Sequence, residues 1–280
     1  MSILSSAKQA VRRGFAGRDR AVLGRLGARG DARTAAVVDA ILAVYDIKRR
    51  PPASVQAIEA ARRARAADTR PLVDGSLGPA GPFDDGETVA SACAVSKPPS
   101  QAVLLHALTS RLKPASVLEL GTNIGISSAF LAAGLADAGT DGRILTLDVS
   151  PYRVRTAETL HRELGLTTIA TRVGLFQDTL AGAIEAAAPI DMAFIDGNHH
   201  YEPTLAYTDQ IAANSVEGAL FVYDDIRWSE GMKRAWASVC DDPRFSVVID
   251  LYQMGIAIYS PGGATDRTVT PPLYSVLARV

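Results

Sequence analysis

From Val117 onward, short apolar runs rich in β-branched residues alternate with helical patterns, and this alternation limits the fold more than any other feature of the chain. Strand candidates fall at 117–120, 143–148, 168–173, 191–196, 218–224, 245–250 and 253–259. Helical stretches occupy 125–137, 151–164, 177–187, 202–213 and 229–239. Strand–helix–strand alternation of this kind builds a mostly parallel sheet covered on both faces. Only Leu251-Tyr252 separates the last two strands, too little for a parallel crossover, so the final strand is expected to run antiparallel. The expected fold is α/β, a Rossmann-like, mostly parallel seven-stranded sheet with an N-terminal helical extension.

The extension covers residues 1–69, read as helices interrupted at Gly14, Gly17, Gly24, Gly27 and Gly30, the clearest being Arg33–Ile47. Pro51-Pro52 stops that helix, and Ala53–Ala67 resumes a helical composition. Residues 71–88 read as a Gly/Pro-rich linker, and Pro98-Pro99 introduces a helix from Ser100 to Leu112. This divides the chain into an extension and linker, 1–90, and a principal domain, 91–280.

Composition narrows the class. With 48% hydrophobic and 21% charged residues, no apolar run of membrane-spanning length and no secretory pattern at Met1–Lys8, the chain reads as a cytoplasmic protein without a membrane partner. Cys93 and Cys240 have no metal or redox spacing. Residues 1–70 carry 15 Lys and Arg against 6 Asp and Glu, whereas the remaining 210 carry 14 against 24. A basic arm of this kind meets nucleic acid or an acidic partner, or folds back on its own body or another subunit's, which leaves a homo-oligomer open. No aromatics interleave with Arg62, Arg63 and Arg65, which argues against nucleic acid.

The chemistry-bearing residues gather where strands end, the edge at which open α/β sheets bind ligands. Ser116–Leu120 runs into a turn bounded by Gly121 and Gly125, then into a helix from Ile126. The glycines allow close backbone approach, and the helix N-terminus offers N–H groups to an anion. The G-x-x-x-G spacing differs from the G-x-G-x-x-G of dinucleotide binders, which disfavours a dehydrogenase; a plain tight turn is the bland reading. Asp148 ends the second strand at the spacing of a ribose-binding acid, or else opens the next helix as an N-terminal carboxylate. Phe176 and Gln177 follow the third strand, where a ring and an amide suit an adenine. Asp196 ends the fourth strand, and Asp224-Asp225 the fifth. Three carboxylates so close repel unless protons or a cation neutralise them, and hard oxygen donors suit Mg²⁺ or another divalent cation. The alternative is structural, with one acid capping a helix and another paired to Arg227. His199, three residues past Asp196, is placed to serve as general base, or forms a solvated loop pair with His200. Trp228 is a candidate pocket wall and Trp236 a core residue.

Val117–Gly125 resembles the first motif of class I S-adenosylmethionine-dependent methyltransferases. Phe194–Glu202 and Tyr223–Ile226 are similar to a bacterial O-methyltransferase branch that includes macrolide-sugar and catechol-type metal-dependent enzymes. The resemblance spans about 95–260. It implies S-adenosyl-L-methionine as cofactor, with Glu119, Gly121 and Ser127 at its methionine end and Thr122, Asn123, Gly125 and Asp196 completing the set. It also implies Asp148 at the ribose, Phe176 and Gln177 at the adenine, Asp196, Asp224 and Asp225 on the metal, and His199 as catalytic base. The catechol-type pattern has Lys at the position of His199 and Asn at that of Asp225, so the resemblance shifts the expected acceptor toward a small-molecule alcohol or sugar hydroxyl. The other class is a cofactor-binding regulatory or scaffold protein that uses its basic arm for a partner.

Overall fold

A computed structural model of the protein describes residues 3–72 and 86–278, with side chains from Gly14 onward. Most of the expected linker, 73–85, lies outside the described residues. The chain begins with helices α1 (Ile3–Arg29), α2 (Ala32–Arg49) and α3 (Ala53–Ala66), then α4 (Val89–Ala94) and α5 (Pro99–Leu112). There follow β1 (Ser116–Leu120), α6 (Ile126–Asp137), β2 (Arg143–Asp148), α7 (Pro151–Glu163), β3 (Ile169–Val173) and α8 (Phe176–Ala187). The last part comprises β4 (Ile190–Ile195), α9 (Tyr201–Ala212), β5 (Ser215–Tyr223), α10 (Glu230–Asp241), β6 (Phe245–Asp250), β7 (Gly255–Tyr259) and β8 (Thr268–Val269).

Among the described residues the strands form one sheet in the order β3-β2-β1-β4-β5-β7-β6-β8. Every pairing from β3 through β5 is parallel; β7 inserts antiparallel between β5 and β6. The expected α/β sheet is therefore present. Its seven foreseen strands are joined by a two-residue eighth, β8, parallel to β6.

Side-chain alternation along the central strands feeds two cores. Val117, Met192 and Phe194 join the layer built by α1–α7, and Leu118, Leu120, Ala193 and Ile195 join that of α8–α10. Helix α5 is buried along residues 100–109 between α2 and α6. The approach of α5 to α6 is limited by backbone: a Cβ on Gly134 would stand 2.1 Å from Thr109 Oγ1 and 2.4 Å from the His106 carbonyl oxygen.

The arm differs from its expected form in one respect. Helix α1 runs unbroken through Gly14, Gly17, Gly24 and Gly27, and ends at Gly30. An interior glycine costs a helix only about 1 kcal/mol, and no proline interrupts this one. Asp31 then caps α2 by accepting from the Thr34 N–H at 2.7 Å. Leu23, Val37, Ile41, Val44, Val55 and Ile58 share one buried cluster with α5 and α6, so the helices of the arm fold onto the body. Several of the arm's cations turn inward: Arg33 donates to the Gly218 carbonyl at 2.8 Å, and Lys48 to those of Val276 and Ala278 at 2.6 and 2.9 Å.

Gly134 and Gly24 give substitutions of opposite sign. Gly134→Ala is expected to destabilise the protein by about 1–3 kcal/mol, because the methyl meets backbone and a buried hydroxyl. Nothing lies within 4 Å of a Cβ on Gly24, so Gly24→Ala should stabilise by up to about 1 kcal/mol. Urea unfolding monitored by circular dichroism measures both; the same sign for the two would refute this account of the glycines.

Candidate active site

Strand β1 lies between β2 and β4, so the chain leaves its carboxyl end to one side and returns on the other. This opens a crevice at the switch in strand order. The first turn is held by its own strands. The Gly121 and Thr122 N–H groups both donate to the Leu147 carbonyl, at 2.9 and 3.0 Å. Gly121 has φ 106°, and a Cβ there would lie 2.1 Å from the carbonyl oxygen of Asp196. At Gly125, φ 83°, a Cβ would meet His161 Nε2 at 2.6 Å and Ala157 at 2.7 Å. Both glycines are thus required by neighbouring protein before any ligand is considered. Gly125 is also the N-cap of α6 and supplies no side chain, which leaves the helix N-terminus uncapped by any side chain.

His161 backs this turn. Its Nε2 lies 2.9 Å from Ser128 Oγ, and burial lowers its pKa to about 4, so it is neutral and structural. Asn123 adopts φ 46°. Its N–H donates to Asp148 Oδ2 at 2.7 Å, and its Nδ2 donates to the Ala92 carbonyl at 2.9 Å and to Ser96 Oγ at 3.1 Å. The turn is thereby tied to the end of β2, to α4 and to the segment that follows α4. Asp148 Oδ1 accepts from the Ser150 N–H at 2.9 Å, so this acid organises the turn and the start of α7 together.

A cavity of about 530 Å³ occupies the crevice. Of the residues singled out from the sequence, Gly121, Thr122, Asn123, Ser127, Asp148, Asp196, His199, Asp225 and Trp228 line it. Ala94, Val95, Ser96 and Lys97 close it from the other side. Glu119, Gly125, Phe176, Gln177 and Asp224 stand outside the lining. Phe176 packs its ring over Gly197 and edge-on to Tyr207, 5.6 Å between centroids, and Gln177 is exposed. Glu119 is fully buried and neither carboxylate oxygen has a hydrogen-bonding partner. Burial pushes its pKa up to about 8; the Ser127 and Thr146 hydroxyls beside it temper the rise without closing a hydrogen bond.

The acids at the ends of β4 and β5 surround a cation that the sequence reading did not single out. Lys97, nearly buried, places Nζ 3.0 Å from Asp196 Oδ1 and 3.9 Å from Asp225 Oδ2, and in contact with Asp224 Oδ2. Asp224 is wholly buried, and its Oδ1 has no partner. Asp196, His199 and Asp225 bring one ligand atom each to within 4.8 Å of one another, whereas Asp224 turns to the lysine. Burial raises the Asp196 pKa to about 6 against the pull of Lys97. It lowers that of His199, whose Nε2 is 3.7 Å from Asp196 Oδ1. Arg227 takes no part in the cluster and pairs with Asp250 at 2.9 and 2.7 Å. Asn198, His199 and Asp225 all have positive φ (68°, 33° and 50°), strain that concentrates at this edge. The signal for Lys97 in the sequence is slight: one lysine before the Pro98-Pro99 pair that starts α5.

Residues 118–226 match a family model described as a methyltransferase domain. A catechol O-methyltransferase of Niastella koreensis is 32% identical over 135 residues, covering 48% of this chain and 59% of that protein. One of Mycobacterium tuberculosis is 32% identical over 127 residues, covering 45% and 54%. The chain thus spans a little over half the length of these relatives. Among solved structures, an O-methyltransferase from Bacillus cereus in complex with SAH is similar at TM-score 0.55 and 21% identity, over 77% of this chain and 96% of that one. An SAH-bound methyltransferase of Podospora anserina is similar at TM-score 0.57 and 16% identity, over 78% and 94%.

Glu119 gives a test of this electrostatics in the free protein. A carboxyl whose pKa is raised on folding contributes stability that is fully present below its ordinary pKa near 4.5 and lost as pH rises toward 8. Wild type should therefore lose stability relative to Glu119→Gln between pH 5 and pH 8, by an amount on the order of a few kcal/mol. Parallel melting-temperature curves for the two proteins over that range would show that the Glu119 pKa is not displaced.

Proposed function

We propose that residues 118–226, which match a methyltransferase domain model, form a class I, S-adenosylmethionine-dependent methyltransferase domain, and that the chain is a divalent-metal-assisted O-methyltransferase acting on a hydroxyl of a small molecule, a sugar or natural-product alcohol. One observation carries the reading. A single cavity joins the turn between β1 and α6, with its uncapped helix N-terminus, to the Asp196–His199–Asp225 group.

The residues fit both ligands. The N–H groups at the start of α6 and the hydroxyl of Ser127 suit the carboxylate of the methionine moiety, and the partnerless oxygens of Glu119 suit its ammonium end. Gly121, Thr122, Asn123 and Gly125 shape the turn between them. Asp148 keeps lone pairs for the ribose hydroxyls, while Phe176 and Gln177, at the start of α8 beyond the cavity lining, are assigned to the adenine. Asp196 and Asp225, with the partnerless Oδ1 of Asp224, offer oxygens to a divalent cation. When bound, the cofactor supplies an electrophilic methyl group and the cation supplies a Lewis acid that orients the acceptor oxygen.

The rest is done by the chain. Burial keeps His199 neutral, so its ring can take the acceptor's proton at Nε2, with Asp196 alongside to stabilise the imidazolium. Trp228, 73% exposed, forms one wall of the mouth through which an acceptor enters. Alignment of the two reactants is the protein's main contribution. Residues 1–90 are assigned to the acceptor side, through α4 and the segment to Lys97 that they support, and 91–280 to the catalytic domain.

Calorimetric titration with S-adenosylhomocysteine should give micromolar affinity, worth about 7–8 kcal/mol, and NAD should give no heat. Gly121→Val should abolish that binding, because the side chain collides with the carbonyl of Asp196. Tight NAD binding with no response to S-adenosylhomocysteine would reject the assignment.

His199→Ala separates base from ligand. Loss of a general base should lower kcat by about 10²–10⁴-fold while Mn²⁺ and cofactor affinities stay within a few fold. Loss of a metal ligand would weaken Mn²⁺ binding as well. Chelation should stop turnover of the wild type and leave cofactor binding intact; full turnover after exhaustive chelation would remove the metal from the mechanism.

A further inference from the structure

Lys97 is fixed from three directions. Its carbonyl accepts from Arg62 Nη1 of α3 at 2.5 Å. Pro98, with φ −62°, follows as the N-cap of α5. Ser96 before it accepts from Asn123 Nδ2 at 3.1 Å and donates to the Ala92 carbonyl at 3.2 Å. The ammonium is therefore delivered from a braced backbone into a nearly dry position, where the lysine side chain is 10% exposed, Asp224 0% and Asp196 11%. A long, flexible, strongly hydrated cation is seldom buried without partners of opposite charge, and here the partners are the same carboxylates that offer oxygens to a divalent ion.

We infer that Lys97 is the resident cation of this cluster and competes with the divalent ion for Asp224 and Asp196. The inference rests on the metal-assisted reading above. Two kinds of oxygen are present. Asp224 Oδ2 and Asp196 Oδ1 face the ammonium, whereas Asp224 Oδ1 is buried without a partner. An ion that draws on the first pair must displace Nζ, and one that settles beside it meets a like charge across a few ångströms of poorly screened space. In both cases lysine and metal oppose one another, and the opposition is reciprocal: whatever Lys97 takes from metal affinity, bound metal takes from the Lys97 contacts. Lys97 acts through the carboxylates and is a positioning residue. It holds the acids together when no divalent ion is bound, and it keeps the affinity for that ion moderate.

The test uses the full-length protein, stripped with chelator and titrated with Mn²⁺ by calorimetry. Lys97→Met should bind Mn²⁺ at least tenfold more tightly than wild type, within the range usual for coupled sites, and Lys97→Arg, which keeps the charge, should stay within threefold. In chelator Lys97→Met should melt below wild type, since the acids have lost their counter-ion, and saturating Mn²⁺ should close that gap. Lys97→Gln serves the same comparison if Lys97→Met does not fold. Equal or weaker Mn²⁺ binding by the neutral variants, with wild type binding normally, would overturn the competition and leave the metal site standing. If neither wild type nor neutral variant bound Mn²⁺ at millimolar concentration while both still bound S-adenosylhomocysteine, the metal reading and the competition would fall together.

Discussion

Carboxylates taken out of water at the ends of adjacent parallel strands are the constraint on which the remainder of this structure depends. The register pairs Leu120 with Ile195 and Ile195 with Tyr223, so the residues that follow, Gly121, Asp196 and Asp224, emerge side by side. The ladder continues one step further, with the Asp196 N–H donating to the Leu120 carbonyl and the Asp224 N–H to that of Ile195, both at 3.0 Å. Those bonds fix the acids by backbone alone. Isolated charges of this kind are costly to bury, and the neighbourhood answers in two ways. Glu119 takes a raised pKa in a pocket without partners; Asp196 and Asp224 share one ammonium.

The same edge explains the glycines and the strained loops. Since the fourth strand ends with its Asp196 carbonyl against the first turn, position 121 has no room for a side chain. Since α7 is packed close beneath the start of α6, position 125 has none either. Asn123, His199 and Asp225 hold left-handed backbone in three separate connections facing one cavity. Strain of this sort persists only where surrounding contacts over-determine it, and here the contacts are the bonds from Asn123 to Asp148, Ala92 and Ser96, and the charge cluster beside His199 and Asp225.

Local pattern carried the parallel sheet, the antiparallel final hairpin and the crevice at the strand ends, because alternation of period 2 and 3.6 and the shortness of Leu251-Tyr252 are visible in the chain itself. Asp148 and Asp196 are legible as cavity-lining candidates for the same reason, each ending an apolar run, and Asp225 and His199 follow one and three residues after the acids at such ends. What escaped depended on distance in sequence. The ammonium of Lys97 meets Asp224 across 127 positions, and no spacing rule connects them. Asp224 and Asp225 are neighbours in the chain, yet one is wholly buried against the lysine and the other lines the cavity. Phe176 sits where expected on the third connection, but its ring is drawn to Gly197 and Tyr207, which the sequence places far away. Helix α1 departs from the expectation because each interior glycine costs only about 1 kcal/mol and no proline interrupts it.

The hydrogen bond from Arg62 to the Lys97 carbonyl has a consequence for how proteins of this architecture can be rebuilt. Helix α3 belongs to the part of the chain that precedes the match to the methyltransferase model, a part that grafting can exchange. Here the exchange is not modular. Replacing α3 alters the footing of Lys97, whose ammonium sits among the acids at the ends of β4 and β5, so a graft chosen for shape also disturbs that charge cluster. Grafts that keep an arginine at position 62 conserve that footing; those that do not must supply another brace for residue 97.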